Sequence, residues 1–552
     1  MPFGPALTSA LQATTIDSLR AVRHHDAIVV GGGAAGGFAA MLLSEHGLRV
    51  LVLDAGVPSG QQQAPLRRVT GSFVKRLSRL QASRWVPAQI VPKAHGAVRW
   101  FRRWRQPIQS RCYAWEAAPG AFVDDRDCPY VTAPDRPFVW IRSRMLGGRL
   151  AVPGHGRQYY RLGPNDLMPT DGLSPRWPLQ VGELDRWYDL VERRLGLAGM
   201  IDGHPWLPDS VVSRVLQPTE TEEVVRKKII GRWPNVRPIL SRCAPPLAAL
   251  EIAAQTGRLL CRQGAIAKAI RVDDAGKVCG VAWIDHTSGA EYMSHAPLVF
   301  LCASTLETTR LLMLSRAPKS PDGLGSNSGA LGRYLMDHVA LGAESVAVAS
   351  PVGATTEAGR CIYLPRFDAR ESGTPSPTRG FAAQLYPSVV VAARSHVRAV
   401  TFAEMLPRRE NRVSLDPSIK DAWGIPVLNI ECSHGEVELA RACEQKRALR
   451  ELFDLAGADF ARIDEAPAPP GSAVHECGTA RMGTDPANSV LDPNNQCWDA
   501  QGLYVTDGAC FPSQGSQNPT LTILALTARA CAHVLGSLHG KGSELMAADA
   551  PG

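Results

Sequence analysis

A glycine-rich turn between two short apolar runs constrains the fold of this chain more than any other feature. Residues 26–30 read DAIVV, a β-branched run typical of a buried strand, and residues 31–36 read GGGAAG. A helical stretch follows as far as Gly47, and residues 49–54 then form a second strand-like run that ends in Asp54. A strand, a glycine loop, a helix and a second strand ending in an acid are typical of a dinucleotide-binding unit.

The glycines of this loop have separate tasks in such a unit. Gly31 permits the tight turn, and Gly33 lets a pyrophosphate approach the backbone. Gly36 lets helix and strand pack closely, while N–H groups at the helix start, around Ala35, face the phosphates. Asp54 can accept hydrogen bonds from ribose hydroxyl groups. The alternative interpretation is an ordinary tight turn in another α/β sheet.

The position of the loop favours FAD over NAD as the dinucleotide. The loop lies near the start of a 552-residue chain, and no second GxGxxG motif follows a clear strand. Paired glycines recur at Gly147 and Gly148, followed by Arg149, and such glycines allow backbone to press against a flat ligand. We therefore expect a second cofactor contact there.

A length of 552 residues predicts two or three domains, and 45% hydrophobic and 20% charged residues are typical of a soluble globular protein. The 13 cysteines are scattered without CxxC pairs or zinc-like spacing, which favours reduced thiols, a cytoplasmic location and no metal site. Neither a membrane span nor a secretory signal is visible. Basic and aromatic residues mix at 75–105, but no nucleic-acid-binding module accompanies them, so this face is interpreted as solvated or partner-docking.

Strand-like and helical patterns continue along the rest of the chain. The strand-like runs are 265–272, 278–284, 298–301, 388–392 and 427–430, and the helical ones lie around 184–195 and 435–456. A hairpin turn is predicted at 273–276. The composition changes over 336–465, which predicts a second, sheet-rich domain that covers the cofactor.

Two motifs near the C-terminal end contain an imidazole and an amide. Residues 475–483 read HECGTARMG, residues 516–522 read SQNPTLT, and LYVTDG at 503–508 lies between them. Taken separately, His475 is more typical of a structural histidine and Asn518 of a turn. Taken together with a redox cofactor, a histidine can accept a proton near neutral pH and an amide can hold a hydroxyl group.

These motifs together resemble those of the glucose–methanol–choline (GMC) oxidoreductases, FAD enzymes that oxidise alcohols. The resemblance covers about residues 25–56, 110–200, 240–340 and 400–535. The amino-acid sequences of these motifs are most similar to those of the bacterial branch of sugar and glycoside dehydrogenases and related oxidases. The chain departs from the family at 150–156, LAVPGHG, where a His-Trp-Gly stretch is usual, and at Asp54, where Glu is usual.

The resemblance implies an α/β fold with a Rossmann-like FAD-binding domain and a discontinuous second α+β domain, an antiparallel sheet backed by helices. The implied bounds are 25–335 for the FAD domain with inserted segments 60–140 and 160–220, 336–465 for the substrate-binding domain, and 466–540 for a C-terminal return to the FAD domain.

The resemblance also assigns roles to residues. His475 is the expected base, and Asn518 is expected to hydrogen-bond the same substrate oxygen. His155 is expected either to contact or covalently hold the flavin, or to be structural in its loop, whereas His338 and His434 are interpreted as structural or peripheral. The cofactor-binding residues are expected to be Gly31, Gly33, Ala35, Gly36, Asp54, Gly147, Gly148, Arg149, His155, Ile266, Asp507, Gly508, Pro519 and Thr520.

The expected function is FAD-dependent oxidation of a CH–OH group in a small-molecule alcohol, with oxygen or another electron acceptor. A sugar, a glycoside or a polyol-like natural product is the expected substrate. Two alternatives are a redox-neutral lyase that uses His475 for acid–base chemistry, and a flavoprotein subunit that passes electrons to a small or cytochrome partner.

Overall fold

The computed structural model describes residues 24–57, 99–153, 155, 157–346, 359–373, 380–391, 394–456 and 462–539. Most of the basic stretch at 75–105 and the first half of the predicted insertion at 60–140 lie outside the described residues. The last residue of the strand-like run 388–392 also lies outside them.

The elements of the described residues are numbered in chain order. The strands are β1 (Ala27–Val30), β2 (Val50–Asp54), β3 (Val131–Thr132), β4 (Ala198–Gly199), β5 (Arg214–Val215), β6 (Ile239–Leu240), β7 (Leu259–Gln263), β8 (Ala265–Val272), β9 (Val278–Asp285), β10 (Glu291–His295), β11 (Leu298–Leu301), β12 (Arg333–Met336), β13 (Val339–Val346), β14 (Ile362–Leu364), β15 (Phe381–Val391), β16 (Arg394–Ala403), β17 (Arg412–Lys420), β18 (Pro426–Glu431), β19 (Arg462–Ile463), β20 (Cys477–Thr479) and β21 (Leu503–Val505). The helices are α1 (Ala34–Glu45), α2 (Pro164–Leu167), α3 (Asp185–Leu195), α4 (Glu220–Arg232), α5 (Ala249–Gln255), α6 (Thr305–Leu314), α7 (Glu436–Ala456) and α8 (Thr520–His539).

The longer predicted elements are confirmed. Strands β8 and β11 have the predicted bounds, and β9 and β18 extend the predicted runs by one or two residues. Helices α3 and α7 occupy the two predicted helical stretches. The hairpin at 273–276 joins β8 to β9 in an antiparallel pair. Periodic apolar patterns of this length are the most reliable signals in a sequence.

A parallel sheet carries the glycine loop. Its order is β21-β11-β1-β2-β7, with β1 between β11 and β2. Helix α1 packs against β1, β2 and β11, and α8 packs against α1 and α3. Because the carboxyl ends of parallel strands meet at one edge, the loop after β1, Asp54 at the end of β2 and Asp507 after β21 face the same crevice.

A six-stranded antiparallel sheet with the order β19-β13-β16-β15-β14-β6 covers the other side of the site, and α7 packs on β13, β15 and β16. This arrangement and the parallel sheet confirm the α/β fold class with a helix-backed antiparallel sheet. The sheet also recruits β6 from outside 336–465, and a separate sheet, β20-β12-β17-β18-β3, joins strands from both sides of that range. Strands of two to four residues are too short to carry a periodic pattern, so the sequence does not reveal these additions.

Helix α8 is mostly apolar. By length and composition, residues 520–538 could cross a membrane, but 67% of the most apolar window is buried inside the protein. Its packing against α1 and α3 accounts for that composition, because a helix enclosed on several sides is apolar around its whole surface.

Candidate active site

The glycine loop has the backbone geometry of a tight turn packed closely against a helix. Gly31 has a left-handed backbone (φ +95°), and a Cβ there would lie 2.4 Å from the Cys302 carbonyl oxygen. A Cβ on Gly36 would lie 1.8 Å from the Gly31 carbonyl oxygen, so helix and strand approach as closely as the backbone allows. A Cβ on Gly33 would meet only the Gly148 Cα, at 3.8 Å. The face of Gly33 is therefore open, as the approach of a phosphate requires.

Asp54 is buried at the end of β2 and is anchored by the backbone. Its Oδ2 accepts a hydrogen bond from the Gly32 N–H at 2.6 Å, and its Oδ1 accepts one from the Gly56 N–H at 2.7 Å. A carboxylate offers about four lone-pair positions, so these two bonds leave capacity to accept from a ribose. Burial raises the pKa of this carboxyl group, although both N–H bonds oppose that shift. Ile266, on β8, lines the cavity with it.

The paired glycines at 147–148 contact the first loop directly. Gly147 has φ +87° and donates its N–H to the Gly32 carbonyl at 3.0 Å. A Cβ on Gly148 would lie 3.0 Å from the Gly33 Cα. The pair thus presses against the backbone of the first loop, and the contact with a flat ligand that the sequence predicts stays a prediction.

A cavity joins the glycine loop to the C-terminal motifs. Of the expected cofactor and catalytic residues, those that line it are Gly31, Gly33, Ala35, Asp54, Gly148, Arg149, His155, Ile266, His475, Asp507, Gly508, Asn518, Pro519 and Thr520. Gly36 and Gly147 lie behind this wall, where they shape the loop. Among the described residues, no group of three or more His, Cys, Asp or Glu side chains is arranged to hold a metal ion.

Asp507 caps a short 3-10 turn, Gly508–Cys510, at the end of β21. Its Oδ1 accepts the Ala509 N–H at 3.0 Å, and Thr308 donates its hydroxyl group to Oδ2. Burial raises the pKa of Asp507 to about 6. This turn places Gly508 on the cavity wall, where the sequence predicts a contact with the flavin side chain or its phosphates.

His155 lies on the cavity wall beside Tyr113. The Tyr113 hydroxyl group is 3.2 Å from His155 Nδ1, and the two rings stack with their centroids 5.5 Å apart. Burial, followed by the nearby Arg149 and Arg157, lowers the pKa of His155 to about 4. The ring is therefore neutral near pH 7, and its predicted contact with a flavin stays a prediction.

His475 and Asn518 face each other in the cavity. His475 lies two residues before β20 and Asn518 two residues before α8, and His475 Nε2 is 3.1 Å from Asn518 Nδ2. The Oδ1 of Asn518 accepts a hydrogen bond from Gln384 Nε2 at 3.2 Å. Burial, followed by the neighbouring His338, Arg149 and His155, lowers the pKa of His475 well below 6.5. The imidazole is therefore neutral at pH 7 and available as a proton acceptor.

The backbone of His475 is held by a residue that the sequence interpretation did not single out. The buried carboxylate of Asp337 accepts N–H groups from Gly471 at 2.6 Å, Ala473 at 3.1 Å and His475 at 3.0 Å. Burial, followed by nearby Glu476, raises the pKa of Asp337 to about 7, while its N–H bonds oppose the shift. Glu476 in turn pairs with Arg149, with 2.9 Å between the charged atoms.

The interpretation of His338 as peripheral is wrong, because its ring contacts His475. The Nδ1 atoms of His338 and His475 are 2.8 Å apart, although the two residues are 137 positions apart in the chain. His434 is not part of the cavity wall. One signal for His338 was available, since Asp337 and His338 are adjacent polar residues between the apolar runs 334–336 and 339–341.

Comparisons with known proteins show which family and fold this chain resembles. Residues 407–527 match the GMC oxidoreductase family. The 2-methyl-1,2-propanediol dehydrogenase of Mycolicibacterium austroafricanum is 26% identical over 550 residues, which cover 89% of this chain and 95% of that protein. The paromamine 6'-oxidase of Streptomyces fradiae is 28% identical over 73% of this chain and 80% of its own length. A solved structure of formate oxidase from Aspergillus oryzae RIB40 has the same fold, with a TM-score of 0.60 and 15% identity over 94% of this chain and 99% of that one.

Proposed function

We propose that this protein, which belongs to the GMC oxidoreductases, oxidises a CH–OH group of a sugar, a glycoside or a polyol-like natural product. Oxidation of a CH–OH group with FAD is the chemistry of its relatives, and the proposal adds the substrate class. The observation that carries the assignment of the site is the His475–Asn518 pair on the wall of the cavity that begins at the glycine loop.

The residues that line the cavity fit FAD. The open face of Gly33 and the N-terminus of α1 suit a pyrophosphate, because a helix N-terminus offers free N–H groups and a positive partial charge. Asp54 retains acceptor capacity for the ribose hydroxyl groups. When bound, FAD supplies the acceptor for a hydride from the substrate carbon.

The catalytic pair handles the hydroxyl proton. Loss of a hydride from a carbinol carbon would leave a protonated carbonyl unless the hydroxyl proton departs, so a positioned base lowers the barrier. The neutral imidazole of His475 accepts that proton at Nε2. The amide of Asn518 donates a hydrogen bond to the same substrate oxygen, which orients the reacting carbon.

The polar character of the wall supports a substrate with several hydroxyl groups. Arg157 and Gln158 line the cavity. Behind this wall, Gln158 Nε2 is 3.1 Å from the Tyr386 hydroxyl group, which donates to Gln384 Oε1 at 3.1 Å, and Gln384 in turn holds the amide of Asn518 on the wall. A few placed polar groups of this kind orient a ligand by hydrogen bonds, and each rejects an analogue that lacks the matching hydroxyl group.

Anaerobic flavin reduction tests this proposal. The purified yellow protein would be mixed without oxygen with sugars, glycosides, polyols and aromatic alcohols, and flavin bleaching would be followed in a stopped-flow spectrometer. We expect bleaching by polyhydroxylated compounds and a loss of more than about a hundredfold in its rate in His475→Ala, the usual scale of general-base catalysis. His434→Ala is the matched control, since His434 lies away from the cavity wall, and should react normally.

Three results would contradict parts of the proposal. Near-normal reduction in His475→Ala removes the base assignment. Bleaching by aromatic alcohols alone removes the substrate class. Turnover without bleaching indicates a redox-neutral lyase on the same fold.

The electron acceptor is part of the proposal, because one relative is named a dehydrogenase and another an oxidase. Oxygen, or a small or cytochrome partner, reoxidises the flavin. Admission of oxygen after anaerobic reduction separates the two, since recovery of the yellow colour within one turnover time identifies an oxidase and slow recovery points to a partner protein.

A cytoplasmic location is also proposed, on the scattered pattern of the 13 cysteines. Cell fractionation tests it.

A further inference from the structure

A buried histidine stands behind the proposed base. His338 lies between β12 and β13, and its side chain is almost fully buried. Its Nε2 is 2.9 Å from the Gly515 carbonyl oxygen, and its Nδ1 is 2.8 Å from His475 Nδ1. The two rings meet edge to face, with centroids 4.9 Å apart.

The Gly515 carbonyl fixes the proton on His338. A carbonyl oxygen can only accept, so the 2.9 Å contact requires that His338 Nε2 carries the hydrogen. Burial lowers the pKa of His338 to about 4, so the ring is neutral near pH 7 and has a single N–H group. Its Nδ1 therefore bears a lone pair and can only accept.

The tautomer of His338 also determines which nitrogen of His475 carries its hydrogen. Two nitrogen atoms 2.8 Å apart need one hydrogen between them, and His338 Nδ1 cannot supply it. His475 Nδ1 must then be the donor, and because His475 is also neutral, its Nε2 holds the lone pair. That is the nitrogen that faces the cavity.

An independent chain of hydrogen bonds reaches the same conclusion from the other side. The Tyr386 hydroxyl group donates to Gln384 Oε1 at 3.1 Å, which leaves Gln384 Nε2 to donate to Asn518 Oδ1 at 3.2 Å. The remaining Asn518 atom, Nδ2, is a donor and lies 3.1 Å from His475 Nε2. A donor at this distance needs a lone pair on His475 Nε2.

We propose that His338 is a positioning residue that holds His475 in the tautomer with its lone pair at Nε2, with the Gly515 carbonyl as the fixed end of the chain. The inference rests on the proposed role of His475 as the base. In the reaction, the substrate O–H bond breaks and a His475 Nε2–H bond forms. His475 then carries the positive charge, and its Nδ1–H remains donated to His338. The proton stays on His475, because His338 Nε2–H is already held by Gly515.

Two substitutions of His338 separate this role from packing. In His338→Asn, the side-chain oxygen falls near the position of Nδ1 and keeps an acceptor for His475. In His338→Gln, the amide nitrogen falls near Nε2 and keeps the bond to Gly515 with more of the original volume, but the amide oxygen is displaced and leaves no acceptor at the position of Nδ1 for His475. We expect His338→Asn to reduce flavin within about tenfold of the wild-type rate and His338→Gln to lose about a hundredfold, the scale of general-base catalysis.

The tautomer itself can be measured without turnover. Nitrogen-15 NMR of the FAD-loaded enzyme labelled at histidine distinguishes a protonated ring nitrogen from one with a lone pair, and His475→Ala identifies the signals of His475. The wild-type protein should show a lone pair at His475 Nε2, and His338→Gln should shift His475 toward the opposite tautomer or a mixture.

The possible outcomes test the role of His338 separately from the role of His475 as the base. A proton on His475 Nε2 in the wild-type protein overturns the role of His338 whatever the activity. The expected tautomer together with normal flavin reduction in His475→Ala removes the proposed base and leaves the hydrogen-bonding chain in place. Equal losses in both His338 variants, with an unchanged His475 spectrum, reduce His338 to a packing role. Since the wild-type spectrum, assigned through His475→Ala, decides the tautomer, a His338 variant that fails to fold leaves the test intact.

Discussion

Residue 475 is positioned through its backbone as well as its ring. The preceding residue, Val474, has φ +64°, a left-handed conformation that is strained for a β-branched side chain by about 1–3 kcal/mol. Asp337 offsets this strain, since its carboxylate accepts N–H groups on both sides of Val474, from Ala473 and His475. Consecutive residues, Asp337 and His338, thus hold the backbone and the side chain of the proposed base.

The environment of His475 predicts a specific pH dependence. Because burial lowers its pKa, the neutral base is fully present above pH 6.5 and is lost only as the pH falls through the lower, folded-state value. Asn518→Asp places a carboxylate oxygen near Nε2, which favours the imidazolium form and raises that pKa. We expect the acid limb of the flavin-reduction rate to lie below pH 6.5 in the wild-type protein and to move upward in Asn518→Asp, with a loss of about a hundredfold at neutral pH.

Asn518→Ala is the control for this change, since it removes the donor without adding charge. Its rate should fall less than that of His475→Ala, and its acid limb should not move upward. The measurement is the anaerobic reduction rate between pH 5 and pH 9. An unshifted limb in Asn518→Asp would mean that His475 is not the titrating group.

The sequence predicts which residues of the site lie together only where each of them belongs to a recognisable motif. His475 and Asn518 are recognisable because each lies in a motif that the resemblance covers, and Gly31 and Asp54 because the loop and strand lengths are characteristic. His338 and Gln384 contact the same pair across 137 and 134 residues of chain. Contacts of that separation depend on how two sheets meet, which no local pattern encodes.

At the scale of elements, two glycines at the junction of β1 and α1 have different roles, one in cofactor binding and the other in folding. Gly33 has an ordinary φ of −78°, and an added Cβ would have an uncrowded neighbour at 3.8 Å. Gly36 has no such room, because an added Cβ would lie 1.8 Å from a backbone oxygen that cannot move aside cheaply. The same alanine substitution should therefore act through different physical causes at the two positions.

We expect Gly33→Ala to fold with a stability within about 0.5 kcal/mol of the wild-type apoprotein, because it meets no clash. Its affinity for FAD should fall by about tenfold or more, since the methyl group occupies the face that the pyrophosphate approaches. Gly36→Ala should lose about 1–3 kcal/mol of stability through overpacking. Thermal unfolding of the apoproteins and titration with FAD, followed by flavin fluorescence, measure the two effects. Equal destabilisation of both apoproteins would contradict the distinction.

The sequence predicts elements well where they are long and periodic, as in β8, α3 and α7. It does not predict the sheets in which they lie. Strand β6, two residues long, extends the six-stranded sheet from about 120 positions before β14, and β3 joins β18 from a still more distant part of the chain. Such strands are stabilised by the sheet edge that they meet, not by their own composition, so their existence follows from the tertiary structure.

At the scale of the whole molecule, the cavity joins distant parts of the chain. Its wall includes the loop after β1, Arg149, strand β8, His475 and the start of α8. The parallel sheet also joins distant parts of the chain, because its strands β1, β2, β7, β11 and β21 are spread over residues 27 to 505. A ligand that needs all of these segments in place binds the folded chain and not the unfolded one.

FAD should therefore stabilise the whole chain by mass action. At a free concentration about 100 times the dissociation constant, binding to the folded state alone adds about 2.7 kcal/mol to the free energy of unfolding. We expect the unfolding temperature of the apoprotein to rise with FAD concentration and circular dichroism and tryptophan fluorescence to report one shared transition, because the cavity proposed to hold FAD is lined by segments from both ends of the described chain. In Gly33→Ala the rise should need a higher concentration of FAD, whereas His434→Ala should match the wild-type protein. A transition temperature independent of FAD, or a separate early transition of residues 466–539, would mean that the cavity does not couple these segments.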